Sequence, residues 1–442
     1  MTGAAGGRRF PIGAELLPNG RAHVRVWAPA RRRVLVVHGP NLDCGTPLTA
    51  EKDSEGMFSG VIDGLTVGGT YAFRLDDDPH PYPDPASRFQ PEGPHGPSEL
   101  VDPTTFAWTD GAWKGTAPRG AVVYEMHIGT FTPEGTYTAA AERLPLLAEV
   151  GVTVIELMPV AEFAGRFGWG YDGVDIWAPT HLYGRPDDLR RLVDRAHALG
   201  LGVLLDVVYN HFGPDGNYLT QFSDTYFSDK YENEWCEPIN FDGPGSAGVR
   251  ELCVENAGYW VQEFHFDGLR LDATQQIFDA SPDHLVAAIA RRVRVAAGGR
   301  GCLLVAENEP QETRMVRAPE AGGYGLDALW NDDFHHSARV ALTGHNEAYY
   351  SDYRGTPQEI LSAVKWGYLY QGQRYAWQND RRGTPALDLP ANAFVTFLEN
   401  HDQVANSVRG ERLTTLTSPG MLRALTAVVL LGPATPMLFQ GQ

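Results

Sequence analysis

Three carboxylates in this chain stand at the ends of apolar runs. Asp272 closes FDGLRLD, Glu307 follows LLVA, and Asp402 stands in FLENHDQ, while DVVYNH at 206–211 likewise passes from apolar into polar residues. Buried parallel strands are continuous apolar runs whose C-terminal tips carry functional residues. A retaining glycosidase needs a nucleophile and an acid carboxyl roughly 5–5.5 Å apart, which two strand tips of one barrel can supply. Glycoside cleavage is therefore the first hypothesis.

An arginine accompanies the first of these carboxylates. Arg270 precedes Asp272 by two residues on a predicted strand, so both side chains point to the same face. A neighbouring guanidinium keeps a carboxylate ionised, as a nucleophile must be. We therefore assign Asp272 as the nucleophile and Arg270 to substrate binding, with Asp206 expected to orient Arg270. The alternative is a buried Arg–Asp ion pair without a catalytic role.

The other two carboxylates fit complementary roles. Glu307 follows an apolar run, a setting that raises a carboxyl pKa toward the value a proton donor requires. Glu309 lies two residues further on, so on a strand its side chain would point to the same face as that of Glu307. It is therefore the rival for the role of proton donor. Asp402, between His401 and Gln403, is expected to stabilise an oxocarbenium-like transition state and to bind sugar hydroxyls. We assign His401 and Gln403 to substrate binding.

Aromatic and histidine side chains near the strand tips are candidates for holding sugar rings. Because sugar faces pack on aromatic rings, Tyr171 in WGYDG and Trp235 after the third barrel strand are predicted stacking platforms. His211 and His401 are predicted to donate hydrogen bonds to hydroxyls of the sugar that is cleaved.

The elements that must position these residues alternate between strand and helix. Helical periodicity falls between eight strand-like runs, which is the pattern of a (β/α)8 barrel. The runs are VVYEMHIGTF (122–131), VTVIELMPV (152–160), GVLLDVVYNH (202–211), GLRLDA (268–273), LLVAEN (303–308), LDALWNDDF (326–334), AFVTFLENH (393–401) and TPMLFQG (435–441).

The beginning of the chain has a different pattern. Residues 1–105 contain short alternating runs between Gly, Pro, Asn and Asp turns, which predicts an immunoglobulin-like β-sandwich. Residues 106–442 are assigned to the catalytic barrel, with 106–118 as its connector. The proline- and glycine-rich stretch 79–118 is expected to be ordered, because it carries aromatics and little serine. We expect the last barrel helix and any later domain to be absent, as in a fragment.

The composition excludes several classes of partner. The 442 residues carry a net charge of −19, whereas nucleic acid or an anionic membrane requires a basic surface. The N-terminus lacks the 7–15-residue apolar core of a signal peptide. The longest apolar stretch, at 424–439, is broken by Gly432 and Pro433 and is too short to span a bilayer.

The sequence does not indicate a cofactor, a metal site or a disulfide. Carboxylate chemistry of this kind needs no organic cofactor, and no EF-hand-like acidic run indicates a metal site. The cysteines have no CxxC spacing, so we expect reduced thiols in a cytoplasmic protein at Cys44, Cys236, Cys253 and Cys302.

The four strand-tip segments resemble those of the α-amylase superfamily of glycoside hydrolases, which carries its motifs on the third, fourth, fifth and seventh barrel strands. Within that superfamily, VYEMHIGTFTPEGTY, GWGYDGVDIWAPTHLYG, DVVYNHFGPDGNY and WNDDFHHSARVALTG are similar to the malto-oligosyltrehalose trehalohydrolase family. The VYE-H-GTF opening and WGYDGV also occur in glycogen branching enzymes. DDFHH at 332–336, followed by TG and YYSDY at 349–353, favours the trehalohydrolases.

The resemblance implies a substrate and completes the set of site residues. It implies retaining hydrolysis of the α-1,4 bond next to the terminal trehalose of maltooligosyl trehalose, with Glu307 as the acid because it directly follows Ala306. It also implies a sandwich like a glycogen-binding module. Recognition of the trehalose end is expected from the sixth strand tip, where a helix cap is the alternative. The residues concerned are Asp332, Asp333, His335 and His336.

Two other functions remain open at this point. A 1,4-α-glucan branching enzyme would use the same carboxylates but a sugar acceptor in place of water, and the motifs do not separate the two acceptors. A catalytically idle α-glucan-binding protein would have the cleft without turnover. In each case the partner is a related α-glucan.

Overall fold

The computed structural model describes residues 7–52, 54–407 and 409–442. The first six residues of the N-terminal segment searched for a signal peptide lie outside that range. Eight strands come first: β1 (Gly13–Leu16), β2 (Ala22–Trp27), β3 (Val34–His38), β4 (Cys44–Pro47), β5 (Thr49–Ala50), β6 (Met57–Ile62), β7 (Thr70–Leu75) and β8 (Ser98–Glu99). They form two antiparallel sheets in the orders β1-β2-β6-β5 and β4-β3-β7-β8, in agreement with the predicted sandwich.

Eight parallel strands then close into a barrel, which confirms the predicted fold class. They are β9 (Val123–Met126), β10 (Val154–Leu157), β13 (Gly202–Val207), β14 (Gly268–Leu271), β15 (Leu303–Ala306), β16 (Ala328–Trp330), β19 (Phe394–Thr396) and β20 (Thr435–Phe439), with β20 pairing back to β9. Two hairpins lie outside the barrel: β11 (Ala161–Glu162) with β12 (Asp175–Pro179), and β17 (Gln373–Tyr375) with β18 (Asp380–Arg382).

The described residues also form eleven α-helices. They are α1 (Ile128–Phe131), α2 (Tyr137–Glu149), α3 (Pro186–Ala198), α4 (Leu219–Phe222), α5 (Ser246–Glu263), α6 (Leu285–Ala297), α7 (Asp332–Thr343), α8 (Pro357–Trp366), α9 (His401–Ala405), α10 (Leu413–Leu416) and α11 (Pro419–Leu431). Among these described helices, none combines the length and the apolar character that crossing a bilayer requires.

The predicted strand runs extend too far at their C-terminal ends. The run at 326–334 contains a strand only over Ala328–Trp330, and helix α7 already begins at Asp332. The run at 393–401 ends as a strand at Thr396. The residues that follow the last hydrogen-bonded residue of each strand are still buried, so the apolar run continues past the end of the strand. Composition alone therefore does not mark the last paired residue.

The proline- and glycine-rich segment joins the sandwich tightly to the barrel. Asp84 is fully buried and accepts a hydrogen bond of 2.7 Å from the hydroxyl of Tyr71. The Arg88 guanidinium lies 4.3 Å from the ring centroid of Trp177 on the barrel side. Trp27, from the sandwich, packs edge-on against Tyr226 at 5.1 Å. Trp27 and Tyr71 therefore serve packing, and the sandwich and the barrel share one apolar core.

Candidate active site

One buried arginine connects the carboxylates at three neighbouring strand tips. The Arg270 guanidinium donates through Nη1 to Asp272 Oδ1 at 2.8 Å and through Nη2 to Glu307 Oε2 at 2.7 Å. Nη1 also contacts both oxygens of Asp206 at 2.7–2.8 Å, and the group rests 4.1 Å from the ring centroid of Trp330. The two predicted catalytic carboxyls therefore meet within the span of one guanidinium. The expected orientation of Arg270 by Asp206 is observed.

The surroundings of Glu307 suit a proton donor. Burial raises the pKa of Glu307 well above its usual range and outweighs the opposing effect of Arg270, while Asp402 and Asp272 raise it further. The backbone N–H of Ala273 donates to Glu307 Oε2 at 3.0 Å. Ala273 has a φ of +37°, a conformation that a non-glycine residue adopts only under constraint. This turn directs the peptide after Asp272 toward the acid.

Asp272 is held by a second contact from the third barrel strand. Asn210 donates through Nδ2 to Asp272 Oδ2 at 2.7 Å, and its own Oδ1 pairs with Nδ1 of His211. His211 lines the cleft, and burial lowers its pKa. Arg270 and Asn210 thus hold opposite oxygens of Asp272, which leaves little rotational freedom to a nucleophile at this position.

Asp402 lies in the first turn of helix α9, beside His401. Its carboxylate is 44% exposed and faces the cleft, with Oδ1 3.7 Å from Nε2 of His401. The His401 ring is stacked on Tyr171, with centroids 4.9 Å apart and planes at 17°. Tyr171 also donates from its hydroxyl to Asp206 Oδ2 at 2.6 Å. One face of the Tyr171 ring is therefore occupied by histidine.

The residues above open into a cleft of about 710 Å³ at the C-terminal ends of the barrel strands. The cleft has the volume typical of a small-molecule site. Trp235 is half exposed on its wall, 5.5 Å from the His211 ring. Gln403 also lines the cleft, although its Oε1 accepts from the backbone N–H of Asn400 in the helix cap. The predicted site residues on the cleft surface are Tyr171, His211, Trp235, Asp272, Glu307, Asp332, His336, His401, Asp402 and Gln403.

Three residues assigned to substrate binding do not face the cleft: the buried Arg270 described above, Asp333 and His335. Asp333 is fully buried and accepts hydrogen bonds from the side chains of Gln311 and Tyr353 and from the backbone of Tyr370 at 2.6–2.7 Å. His335 is also buried, with its ring stacked on Phe397 at 5.5 Å. Successive helical residues point about 100° apart, so the helix that presents Asp332 turns Asp333 inward. These two side chains support the cleft wall from behind.

A residue of this segment does cap helix α7, but the capping residue is Asn331, one position before Asp332. Asn331 caps helix α7 by accepting the backbone N–H of Phe334 at 3.1 Å. Asp332 is left free to face the cleft, where burial raises its pKa to about 7. Glu309, the rival acid, pairs instead with Arg382 and with Gln378 Nε2 at 2.8 Å.

Sequence reasoning missed several residues of the site. Glu125 on β9 binds His401, and a charged residue inside a fully buried strand was the available signal. The hairpin β17–β18 and the segment before it bring further side chains to the cleft, and no strand-tip pattern marks them. Besides Glu309, already named as the rival acid, the additional lining residues with polar or aromatic side chains are Asp172, Glu234, Cys236, Gln275, Tyr349, Tyr375, Trp377, Gln378 and Asn406.

Comparison with known proteins shows which families this chain is similar to. Residues 101–243 match the family described as α-amylase, catalytic domain. A malto-oligosyltrehalose trehalohydrolase from Deinococcus radiodurans is 43% identical over 98% of this chain and 70% of its own length. The enzyme of that name from Saccharolobus solfataricus is 42% identical over 94% of this chain and 72% of its own.

A solved structure and a relative with a different name complete the comparison. The crystal structure described as a putative α-amylase from Salmonella typhimurium superposes with a TM-score of 0.92 at 40% identity, covering 98% of this chain and 73% of its own. A 1,4-α-glucan branching enzyme from Burkholderia thailandensis is 33% identical, but over 69% of this chain and 41% of its own. The similarity to branching enzymes is thus lower and shorter.

Proposed function

This chain belongs to the malto-oligosyltrehalose trehalohydrolase family of the α-amylase superfamily, and we propose that it hydrolyses the α-1,4-glucosidic bond next to the terminal trehalose of maltooligosyl trehalose. The observation that carries the proposal is the pair of carboxyls, Asp272 and Glu307, held on one guanidinium within a sugar-sized cleft. Asp272 accepts hydrogen bonds from Arg270 and Asn210, and Glu307 lies where burial raises its pKa and favours the protonated form.

The two carboxyls act in sequence. Asp272 attacks the anomeric carbon while the bond to the leaving oxygen breaks, and Glu307 gives its proton to that oxygen, which releases trehalose. Glu307, now a carboxylate, removes a proton from water, and the water oxygen displaces Asp272 from the sugar. Two displacements at one carbon retain its configuration. Asp402 supports the positive charge that develops on the ring in both transition states.

Recognition of the trehalose end requires polar groups that pair with its hydroxyls. Trehalose differs from maltose in its α,α-1,1 linkage and in having no reducing sugar. A buried polar group left without a partner costs about 1–3 kcal/mol. A cleft wall whose polar groups pair with the hydroxyls of trehalose therefore binds sugars that lack those hydroxyl positions less tightly. We assign this wall to Asp332 and His336, which line the cleft beside Glu309, with Trp235 as the stacking surface.

A product assay tests the proposal directly. The intact chain is incubated separately with maltooligosyl trehalose and with amylose, and the products are resolved by chromatography. We expect trehalose from the first substrate at a much higher rate than any product from the second. Formation of α-1,6 branches faster than trehalose would favour the branching alternative. Binding of glucan without turnover would favour the idle binding protein.

Asp332 and Asp333 form a matched pair for testing substrate choice. Asp332→Ala should lower kcat/KM for maltooligosyl trehalose by about 10–100-fold and have less effect on plain maltooligosaccharides, because only the trehalose end loses a partner. Asp333→Ala should instead lower the free energy of unfolding by about 1–3 kcal/mol, since it leaves the buried hydroxyl of Tyr353 without its acceptor, while Arg382 keeps its pairing with Glu309. Kinetics on both substrates and denaturant unfolding measure the two effects. An equal loss on both substrates for Asp332→Ala would contradict its assignment.

A further inference from the structure

We propose that Glu125, on the first barrel strand, is a positioning residue that keeps the His401 ring charged and oriented for hydrogen-bond donation into the cleft. Glu125 Oε1 lies 2.5 Å from Nδ1 of His401, and Glu125 Oε2 accepts the backbone N–H of His401 at 3.2 Å. One carboxylate therefore fixes both the ring and the main chain of its partner. The inference rests on the proposed function only for the identity of the sugar that His401 meets.

The rest of the His401 ring is enclosed on other sides. Tyr171 covers one face at 4.9 Å, and Trp169 meets the ring edge-on at 5.4 Å. Nδ1 is occupied by Glu125, so Nε2 is the ring nitrogen on the side of Asp402 and the cleft. The hydrogen-bonding character of Nε2 then depends on the protonation state of the ring.

That protonation state determines what His401 can do for a substrate. A neutral imidazole that donates from Nδ1 to Glu125 has only an acceptor at Nε2, whereas a charged imidazolium donates from both nitrogens. Donation from Nε2 is what a sugar oxygen beside Asp402 requires. Glu125 thus makes His401 a donor at a pH where an isolated histidine is neutral.

The charges around His401 support this assignment. Burial alone would lower the pKa of His401, but Glu125 and then Asp402 raise it to about 9. Burial lowers the pKa of His127, at the end of the same strand as Glu125, to about 4. Besides the stacked Tyr171, the charged or titratable groups that face His401 from the surrounding elements are Glu125, His127, Glu156, Asp206, Arg270 and Asp402.

The barrel contains a matched control for Glu125. Glu156 is its register partner on β10 and is equally buried, and within the described residues its Oε1 has no hydrogen-bond partner. Burial, then the neighbouring Glu125 and Asp206, raise the pKa of Glu156 well above its usual range. A glutamine resembles a neutral carboxylic acid in shape, so Glu156→Gln should be tolerated.

The experiment compares the intact chain with Glu125→Gln and Glu156→Gln. Histidines labelled with ¹⁵N are titrated by NMR, the His401 signals are assigned with His401→Gln, and kcat/KM is measured from pH 5 to pH 9. We expect His401 of the unaltered chain and of Glu156→Gln to stay charged through pH 8. In Glu125→Gln its pKa should fall to the ordinary value of about 6.5 or below. The activity of that variant relative to the unaltered chain should then fall about tenfold or more between pH 6 and pH 8, because the charged fraction falls at least that much.

Several results would overturn the inference, and they differ from those that bear on the proposed function. If His401 of the unaltered chain titrates near or below pH 6.5, Glu125 does not keep it charged, and this outcome needs no variant to fold. A loss in Glu125→Gln that is equal at every pH would indicate a structural role only. If the His401 pKa shifts as expected but the unaltered chain releases no trehalose, the positioning role stands and the proposed function fails.

Discussion

Replacing Asp272 with asparagine should reduce the turnover of maltooligosyl trehalose by about four orders of magnitude or more, because covalent catalysis loses its only attacking group. Asparagine keeps the size of the side chain and can still accept the hydrogen bond from Arg270. Arg270 also retains its contacts with Asp206 and Glu307, so no buried charge is left unpaired. Steady-state kinetics and the thermal unfolding midpoint measure activity and stability on the same sample.

Asp332→Asn is the comparison for this loss. Asp332 is another carboxyl on the cleft surface, yet it is assigned to recognition and not to bond cleavage, so its removal should cost no more than about 100-fold. Near-normal cleavage by Asp272→Asn would rule out the nucleophile assignment. A large fall in the unfolding midpoint of Asp272→Asn would show that the carboxylate is instead needed for folding around Arg270.

Glu307→Gln should show a loss that depends on the leaving group. With maltooligosyl trehalose, whose leaving oxygen needs a proton, kcat should fall by about 10²–10⁴-fold. With an α-maltosyl fluoride, whose fluoride leaves without protonation, the first turnover should release fluoride at most of its normal rate. Later turnovers should be slow, because Glu307 also activates the water that frees Asp272. The first-turnover burst of fluoride and the release of trehalose are measured separately to obtain the two rates.

The pH profile gives a second measure of the same role. An acid acts while protonated, so the contribution of Glu307 is present below its pKa and is lost as pH rises through it. Because burial raises that pKa well above the usual range for a glutamate, the alkaline limb of the natural reaction should lie well above pH 4.5. That limb should be absent from fluoride cleavage by Glu307→Gln.

Glu309→Gln is the matched control, since Glu309 lines the same cleft and was the rival acid by sequence parity. Its carboxylate is paired with Arg382 and Gln378, so its loss should affect both substrates alike. If the dependence on the leaving group appeared with Glu309→Gln and not with Glu307→Gln, the acid assignment would pass to Glu309.

The amino-acid sequence by itself determined the architecture and pointed to the carboxyls that we propose as catalytic. Parallel barrel strands are buried on both faces, so each is a continuous apolar run, and polar residues directly after such a run must lie at a strand tip. Asp272 and Glu307 could be found in this way because their signal is local, whereas Asp402 lies beyond the end of its strand, in helix α9. The sandwich was predicted for a similar reason, since its alternation of apolar and polar residues is contained within each short strand.

The tertiary structure decided which neighbours of those carboxyls face the substrate. Asp332 and Asp333 are adjacent and chemically identical, and only the rotation of helix α7, set by its cap at Asn331, separates a cleft residue from a buried one. Glu125 and His401 are 276 residues apart and meet because β20 pairs with β9 to close the barrel. A pairing of this kind depends on closure of the whole sheet, and no local pattern of residue types specifies it.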